Sequence, residues 1–150
     1  MEGCVADDIL GYLYLGEEEH GIWKHNANPN SLEAGVLIDS IGPNLAADVE
    51  GLTIYYSSKT TGYLIASSQG DNTYAIYTRE GENKFIGRFA IVDSEQIDGT
   101  SSTDGIDVCN MSLGKNFSQG AFIVQDDEND KGKQNFKVVP WKNIASSFSP

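Results

Sequence analysis

The sequence has few of the features that mark several common classes of small protein. Its 150 residues include only two cysteines, Cys4 and Cys109, too few for a disulfide framework. We predict that both are buried as small side chains. No apolar run is long enough to cross a membrane. No basic segment followed by an apolar one opens the chain, so we expect any secretory signal to lie outside these residues.

Positive charge is also scarce. Ten lysines and arginines face 22 acidic residues, for a net charge of −12. Such a field repels nucleic acids and anionic membranes, so neither is an expected partner. A polyanionic substrate would be repelled as well, unless cations lay between it and the protein. The sequence also lacks the Gly-x-Ser-x-Gly elbow of serine hydrolases and the phosphate-binding P-loop.

Short apolar runs rich in tyrosine, isoleucine, valine and phenylalanine dominate instead. Glycine, asparagine, aspartate and serine separate them, which is typical of an all-β chain. A single short helical turn is predicted over Trp141–Phe148. Strands are predicted near Gly11–Leu15, Gly21–Lys24, Gly35–Ile38, Leu52–Tyr56, Gly62–Ser67, Thr73–Tyr77, Lys84–Ile91, Ile106–Cys109, Ala121–Val124 and Asn135–Val139.

The strand pattern repeats. An acid followed by glycine opens a strand at Gly3, Gly51 and Gly105, which lie about 50 residues apart, and repeats of this length with four strands indicate propeller blades. We therefore predict a partial β-propeller of about three four-stranded antiparallel blades, with repeats at about 2–49, 50–103 and 104–150. The last repeat shows no fourth strand. Because three blades cannot close a ring, we expect the chain to be part of a longer protein.

Superposing the repeats brings acidic residues into register. Glu2, Glu50 and Asp104 take one equivalent position before the first strand, whereas Glu18 and Gln69 are equivalent after the second. Equivalent positions of a propeller lie around its central channel, so these oxygen atoms should converge at one mouth. Carboxylates repel one another, and hard oxygen ligands favour calcium over zinc or copper.

Two loops add further acids. Asp98, Asp104 and Asp107 fall within ten residues, and four acids with Asn129 fall within 126–130. Neither loop has the glycine and terminal glutamate of an EF-hand. An acidic loop is also a common solvated surface feature, and that interpretation stays open for the second loop.

Long motifs resemble one known family. They are Glu2-Gly-Cys-Val-Ala-Asp-Asp8, Gly11-Tyr-Leu-Tyr-Leu-Gly-Glu-Glu18, Asp48-Val-Glu-Gly-Leu-Thr-Ile-Tyr-Tyr56, Leu64-Ile-Ala-Ser-Ser-Gln-Gly70 and Gln134-Asn-Phe-Lys-Val-Val-Pro-Trp141. Together they resemble the β-propeller, calcium-dependent alkaline phytases, nearly end to end. The resemblance implies the C-terminal part of a six-bladed enzyme, with its N-terminal blades as the missing partner, from a secreted bacterial parent.

The resemblance also implies roles for particular residues. Six of them match catalytic residues that are also calcium ligands: Glu2, Glu18, Asp48, Glu50, Gln69 and Asp104. Four more match ligands of a structural calcium: Asp98, Asp126, Glu128 and Asn129.

The implied activity is hydrolysis of phytate or calcium phytate by calcium-activated water. The phosphate-gripping lysines and arginines of the family belong to its N-terminal blades, so we expect this chain alone to have little activity. Two alternatives fit the acids in register equally well: a non-catalytic calcium-binding propeller module and a metal-dependent propeller lactonase.

Overall fold

A computed structural model describes residues 1–130 and 132–148, and in this part of the chain three antiparallel sheets hold eleven strands. The first sheet has the order β1 (Cys4–Asp7), β2 (Tyr12–Glu17), β3 (Gly21–Asn26) and β4 (Val36–Ser40). The second has β5 (Val49–Tyr56), β6 (Gly62–Ser68), β7 (Thr73–Thr78) and β8 (Phe85–Phe89). The third has β11 (Asn135–Pro140), β10 (Ala121–Asp126) and β9 (Ile106–Cys109).

The predicted all-β class with three antiparallel blades is confirmed, and the third blade has three strands, as its sequence indicated. Every strand given bounds above is present. Strand β8 is shorter than the predicted run over 84–91, and the short helix α1 spans Trp141–Ala145. The repeat boundaries near residues 49 and 103 remain a prediction; the first lies at the start of β5 and the second lies between β8 and β9.

The middle sheet is buried on both faces. Successive side chains of a strand point to opposite faces. Leu64 and Ala66 accordingly join a core shared with the first sheet, whereas Ile65 joins a core shared with the third. The same alternation separates Tyr77 from Tyr74 in β7. Burial on both faces explains why β6 and β7 read as nearly continuous apolar runs.

The first strands of the three sheets, β1, β5 and β9, lie next to one another. The glycine of each acid–glycine pair allows this approach. A Cβ atom on Gly3 would lie 2.0 Å from the Glu50 carbonyl oxygen, and one on Gly51 would lie 2.6 Å from that of Asp104. The Gly51 amide instead donates a hydrogen bond of 2.7 Å to the Asp104 carbonyl. The repeated motif therefore joins the sheets at the start of their innermost strands.

At the opposite end of β1, a buried ion pair joins the first two sheets. The guanidinium of Arg79 donates to both carboxylate oxygens of Asp7, at 2.6 and 2.7 Å, and both side chains are fully buried. The same guanidinium donates to the carbonyls of Ser58, Lys59 and Thr61. This pair cross-links strands that are far apart in sequence.

The prediction that both cysteines are buried is wrong. Cys4 is exposed and Cys109 is half-buried, and both are free thiols. The two residues lie in β1 and β9, which belong to the outer sheets. In the described residues each outer sheet shares a core with the middle sheet on one face only. Side chains on the other face of β1 and β9 are therefore not enclosed.

Candidate metal centre

The acids that stand before the innermost strands meet at one cavity. Glu2 precedes β1, Glu50 lies near the start of β5 and Asp104 precedes β9. Because these strands are neighbours, the three residues line a common cavity of about 370 Å³. No lysine, arginine or histidine lines that cavity among the residues the structure describes. All of the ionisable carboxyl and amine side chains that line it are therefore acidic.

Two further acids join Glu50 from the turns beside it. The Val49 amide donates a 3.0 Å hydrogen bond to the Glu18 carbonyl, which fixes the turn after β2 against the start of β5. Carboxylate oxygens of Glu18, Asp48 and Glu50 all lie within 4.8 Å of one another. We call Glu2, Glu18, Asp48, Glu50 and Asp104 the carboxylate cluster.

Gln69 connects two members of this cluster. It follows β6 in the turn equivalent to that of Glu18, as the superposed repeats predicted. Its main-chain amide donates to the main-chain carbonyl of Asp48 at 2.9 Å, and its side-chain Nε2 donates to Asp104 Oδ1 at 2.6 Å. The adjacent Gly70 is required here, since a Cβ atom would lie 1.6 Å from the Ala47 carbonyl oxygen.

The cluster is electrostatically uncompensated. Burial and then the charges of Glu2, Asp104, Glu18 and Asp48 raise the pKa of Glu50 above its ordinary value. Across residues 1–130 and 132–148, no lysine or arginine nitrogen lies within 4.0 Å of the five carboxylates. Five acids held together without a protein cation form a site suited to a bound metal ion.

A second acidic group surrounds a lysine. The Lys137 ammonium lies 2.8 Å from Asp98 Oδ1, 2.9 Å from Asp126 Oδ2 and 3.0 Å from Asn129 Oδ1. Hydrogen bonds from Lys137, and then from main-chain amides, hold the pKa of Asp98 below its ordinary value. We call these four residues the lysine-centred cluster. Glu128 forms no ion pair with this ammonium in the described residues, and it lines a cavity of about 140 Å³ together with Asp98 and Asp126.

The sequence analysis missed Gln125, which supports Asp104. The Oε1 atom of Gln125 accepts a hydrogen bond from the Asp104 amide at 2.8 Å. The only sequence signal for it is a polar residue that follows the apolar run Ala121–Val124 in β10.

A larger cavity is lined by none of the residues of the carboxylate cluster. It has a volume of about 450 Å³ and is lined by residues that include Tyr12, Lys24 and Asn83. The Lys24 ammonium donates to Asn83 Oδ1 at 2.9 Å and lies 4.0 Å from the centre of the Tyr12 ring. No member of the carboxylate cluster lines this cavity, so its size does not make it the metal centre.

Two comparisons with known proteins found similar sequences. The sequence profile of the family described as Phytase matches residues 1–150. A 3-phytase of Bacillus subtilis (strain 168) is 52% identical over 149 residues. The match covers 96% of this chain and 39% of the Bacillus protein. The chain therefore spans about two fifths of the length of that relative.

Proposed function

This chain belongs to the Phytase family, and on that premise we propose that its carboxylate cluster, with Gln69, serves the hydrolysis of phosphate monoesters with phytate as substrate. The observation that carries the proposal is the convergence of five carboxylates that have no lysine or arginine partner in the described residues. Family membership favours phosphate esters over lactones as substrate.

Calcium is the cation we propose for this cluster. Glu2, Glu18, Asp48, Glu50 and Asp104 offer only carboxylate oxygens, which suit a hard cation that accepts many oxygen ligands. Burial raises the pKa of Glu50, and the neighbouring carboxylates raise it further by a repulsion that such an ion would relieve. When bound, calcium supplies positive charge for phosphate oxygens and makes water a better nucleophile.

The residues of the chain then have separable tasks. Glu18, Asp48 and Glu50 have oxygens close enough together to hold one ion. Glu2 and Asp104 extend the negative surface along the cavity of about 370 Å³. Gln69 fixes Asp104 by a charge-assisted hydrogen bond, so that its carboxylate keeps one orientation.

We also propose calcium binding at Asp98, Asp126, Glu128 and Asn129, but on the solvent side of these residues. The Lys137 ammonium already supplies positive charge between Asp98, Asp126 and Asn129. A divalent ion would be repelled from that centre. Asp98, Asp126 and Glu128 also line the cavity of about 140 Å³ with Asp130, whereas Lys137 does not line it, so we propose that the ion binds there.

Calcium titration by calorimetry tests the first site. We expect the purified chain to bind calcium, and Glu50→Gln to weaken binding by at least about tenfold because it removes a central ligand charge. Glu82→Gln is the matched control, since Glu82 is exposed and lines the other cavity. Equal affinity in the wild type and Glu50→Gln would contradict the site.

Phosphate release tests the substrate. No cationic side chain lines the acidic cavity in the described residues, so nothing there grips phosphate once calcium is removed. We expect the chain alone to release phosphate from calcium phytate about a hundredfold more slowly than a full-length relative, because substrate positioning is incomplete. A rate equal to that of the relative would contradict this expectation.

The proposed setting is extracellular. Among the described residues, no helix is both long and apolar enough to span a bilayer. We propose that the protein acts outside the cell, where millimolar calcium suits carboxylate sites of modest affinity. Fractionation of the source culture would test this, and recovery of the protein only from the cytosol would contradict it.

A further inference from the structure

A series of buried, hydrogen-bonded hydroxyl groups leads to the segment that carries Asp104. The Tyr74 hydroxyl lies 2.7 Å from Thr100 Oγ1 and 2.7 Å from Thr103 Oγ1. All three side chains are buried, with exposures of 1%, 8% and 2%. The residue after Thr103 is Asp104, a member of the carboxylate cluster.

The direction of these hydrogen bonds follows from their last acceptor. Thr103 Oγ1 lies 2.9 Å from the Gln125 carbonyl oxygen, which can only accept. The single hydroxyl proton of Thr103 is therefore committed to Gln125, and Tyr74 must donate to Thr103. Thr100 in turn donates to Tyr74. Burial raises the pKa of Tyr74, which keeps its hydroxyl protonated and able to donate.

This series of hydrogen bonds ends at Gln125, which also holds the Asp104 main chain in place. The Oε1 atom of Gln125 accepts a hydrogen bond from the Asp104 main-chain amide at 2.8 Å, and the main-chain amide of Gln125 donates to the Gly105 carbonyl at 2.9 Å. Its carbonyl accepts from Thr103. Gln125 thus contacts three consecutive residues of the segment that presents Asp104.

We propose that Tyr74 is a positioning residue for the metal centre, acting through Thr103 and Gln125 to fix the backbone that carries Asp104. The proposal rests on the proposed function, because Asp104 matters only if the carboxylate cluster binds a cation. It assigns to Tyr74 a role beyond filling the core between the second and third sheets.

Tyr77 provides a matched comparison in the same strand. It is as buried as Tyr74, and its hydroxyl also makes a hydrogen bond, of 3.0 Å to Asp39 Oδ2. That partner lies in β4, away from the segment of Asp104. Tyr74→Phe and Tyr77→Phe therefore remove the same group from similar depth, and only the first removes the hydrogen bond donated to Thr103.

Hydrogen exchange of the wild type and the two variants, without added metal, tests the positioning. We expect the Asp104 amide to exchange about tenfold faster in Tyr74→Phe, because Thr103, the residue before Asp104, loses the hydroxyl that donates to it. Tyr77→Phe should leave it unchanged. Thr100→Val should also leave it unchanged, since Thr100 only donates into the chain. The proposal would be overturned if the Asp104 amide exchanged at the wild-type rate in Tyr74→Phe. It would also be overturned if Thr100→Val accelerated this exchange as much as Tyr74→Phe does.

Calcium titration of the same proteins separates the two proposals. We expect Tyr74→Phe to weaken binding several-fold while Tyr77→Phe binds as the wild type does. Wild-type affinity in Tyr74→Phe would overturn the positioning role. Absence of binding in the wild type would instead overturn the proposed function, and the exchange of the Asp104 amide would still decide whether Tyr74 fixes that segment.

Discussion

Glu50 lies where binding and stability oppose each other. Its pKa is raised by burial and by four neighbouring carboxylates, so its charged form is disfavoured in the metal-free protein. Replacing it with glutamine removes one charge from the group without changing the shape of the side chain. The same substitution removes a central ligand for the proposed calcium.

We therefore predict that Glu50→Gln raises the melting temperature of the metal-free chain by about 2–4 °C at pH 7, in line with a small surface-charge gain. Differential scanning calorimetry in chelator measures this. Added calcium should stabilise the wild type more than the variant, because the variant binds the ion more weakly. A lower melting temperature for the variant in chelator would show that repulsion does not govern Glu50.

The grouping of these acids could be predicted from sequence, but the residues that support them could not. Glu2, Glu50 and Asp104 stand out because each opens an equivalent repeat. Tyr74 and Gln125 have no such register, since a tyrosine in a strand reads as core. Only the fold shows that residues 51 positions apart in sequence, 74 and 125, hold one segment between them.

At the scale of elements, the glycines of the innermost strands set the distance between sheets. A Cβ atom on Gly51 would meet main-chain atoms of Asp104 and Ile106 at 2.6 and 2.8 Å. Backbone cannot rotate away as a side chain can. By contrast, a Cβ atom on Gly87 of β8 would meet nothing within 4 Å.

We predict that Gly51→Ala lowers the free energy of unfolding by about 1–3 kcal/mol, because β5 and β9 must separate to admit the methyl group. Gly87→Ala, which adds the same group in open space, should be neutral or slightly stabilising. Urea denaturation of both variants measures the difference. Equal midpoints would show that the innermost strands are not in tight contact.

Strand β11 shows where pattern reasoning is insufficient. Its existence was predicted correctly, yet its burial inverts the usual alternation. Phe136 and Val138 are 70% and 52% exposed, whereas Lys137 between them is 8% exposed. The ion pairs of Lys137 with Asp98 and Asp126 account for its burial. Those partners lie in other elements, so the sequence of the strand alone does not indicate them.

At the scale of the whole molecule, the pair Asp7–Arg79 joins the first two sheets at the end of β1 opposite the carboxylate cluster. Burial alone would raise the pKa of Asp7, but hydrogen bonds from Arg79 and from the amides of Leu10 and Ile9 hold it below its ordinary value of 3.8. The unfolded chain therefore binds this proton more tightly. The stabilisation is present above about pH 4 and is lost as the pH falls through the lower folded value.

We predict that Arg79→Met lowers the free energy of unfolding at pH 7 by about 3–5 kcal/mol, because Asp7 is left as a buried unpaired charge. Arg88→Met is the control. It breaks the pair with Asp71, whose side chains are 37% and 32% exposed, and should cost at most about 1 kcal/mol. Chemical denaturation gives both values, and similar losses would show that burial of the Asp7 pair has no special weight.

The two-sided middle sheet makes sequence neighbours report on different places. Leu64 contacts the first sheet's core and Ile65 the third's. An isotope label or a heavy atom moved by a single position along β6 would therefore sense a different interface. Labels at these two positions would then show whether a structural change reaches the core shared with the first sheet before or after the core shared with the third.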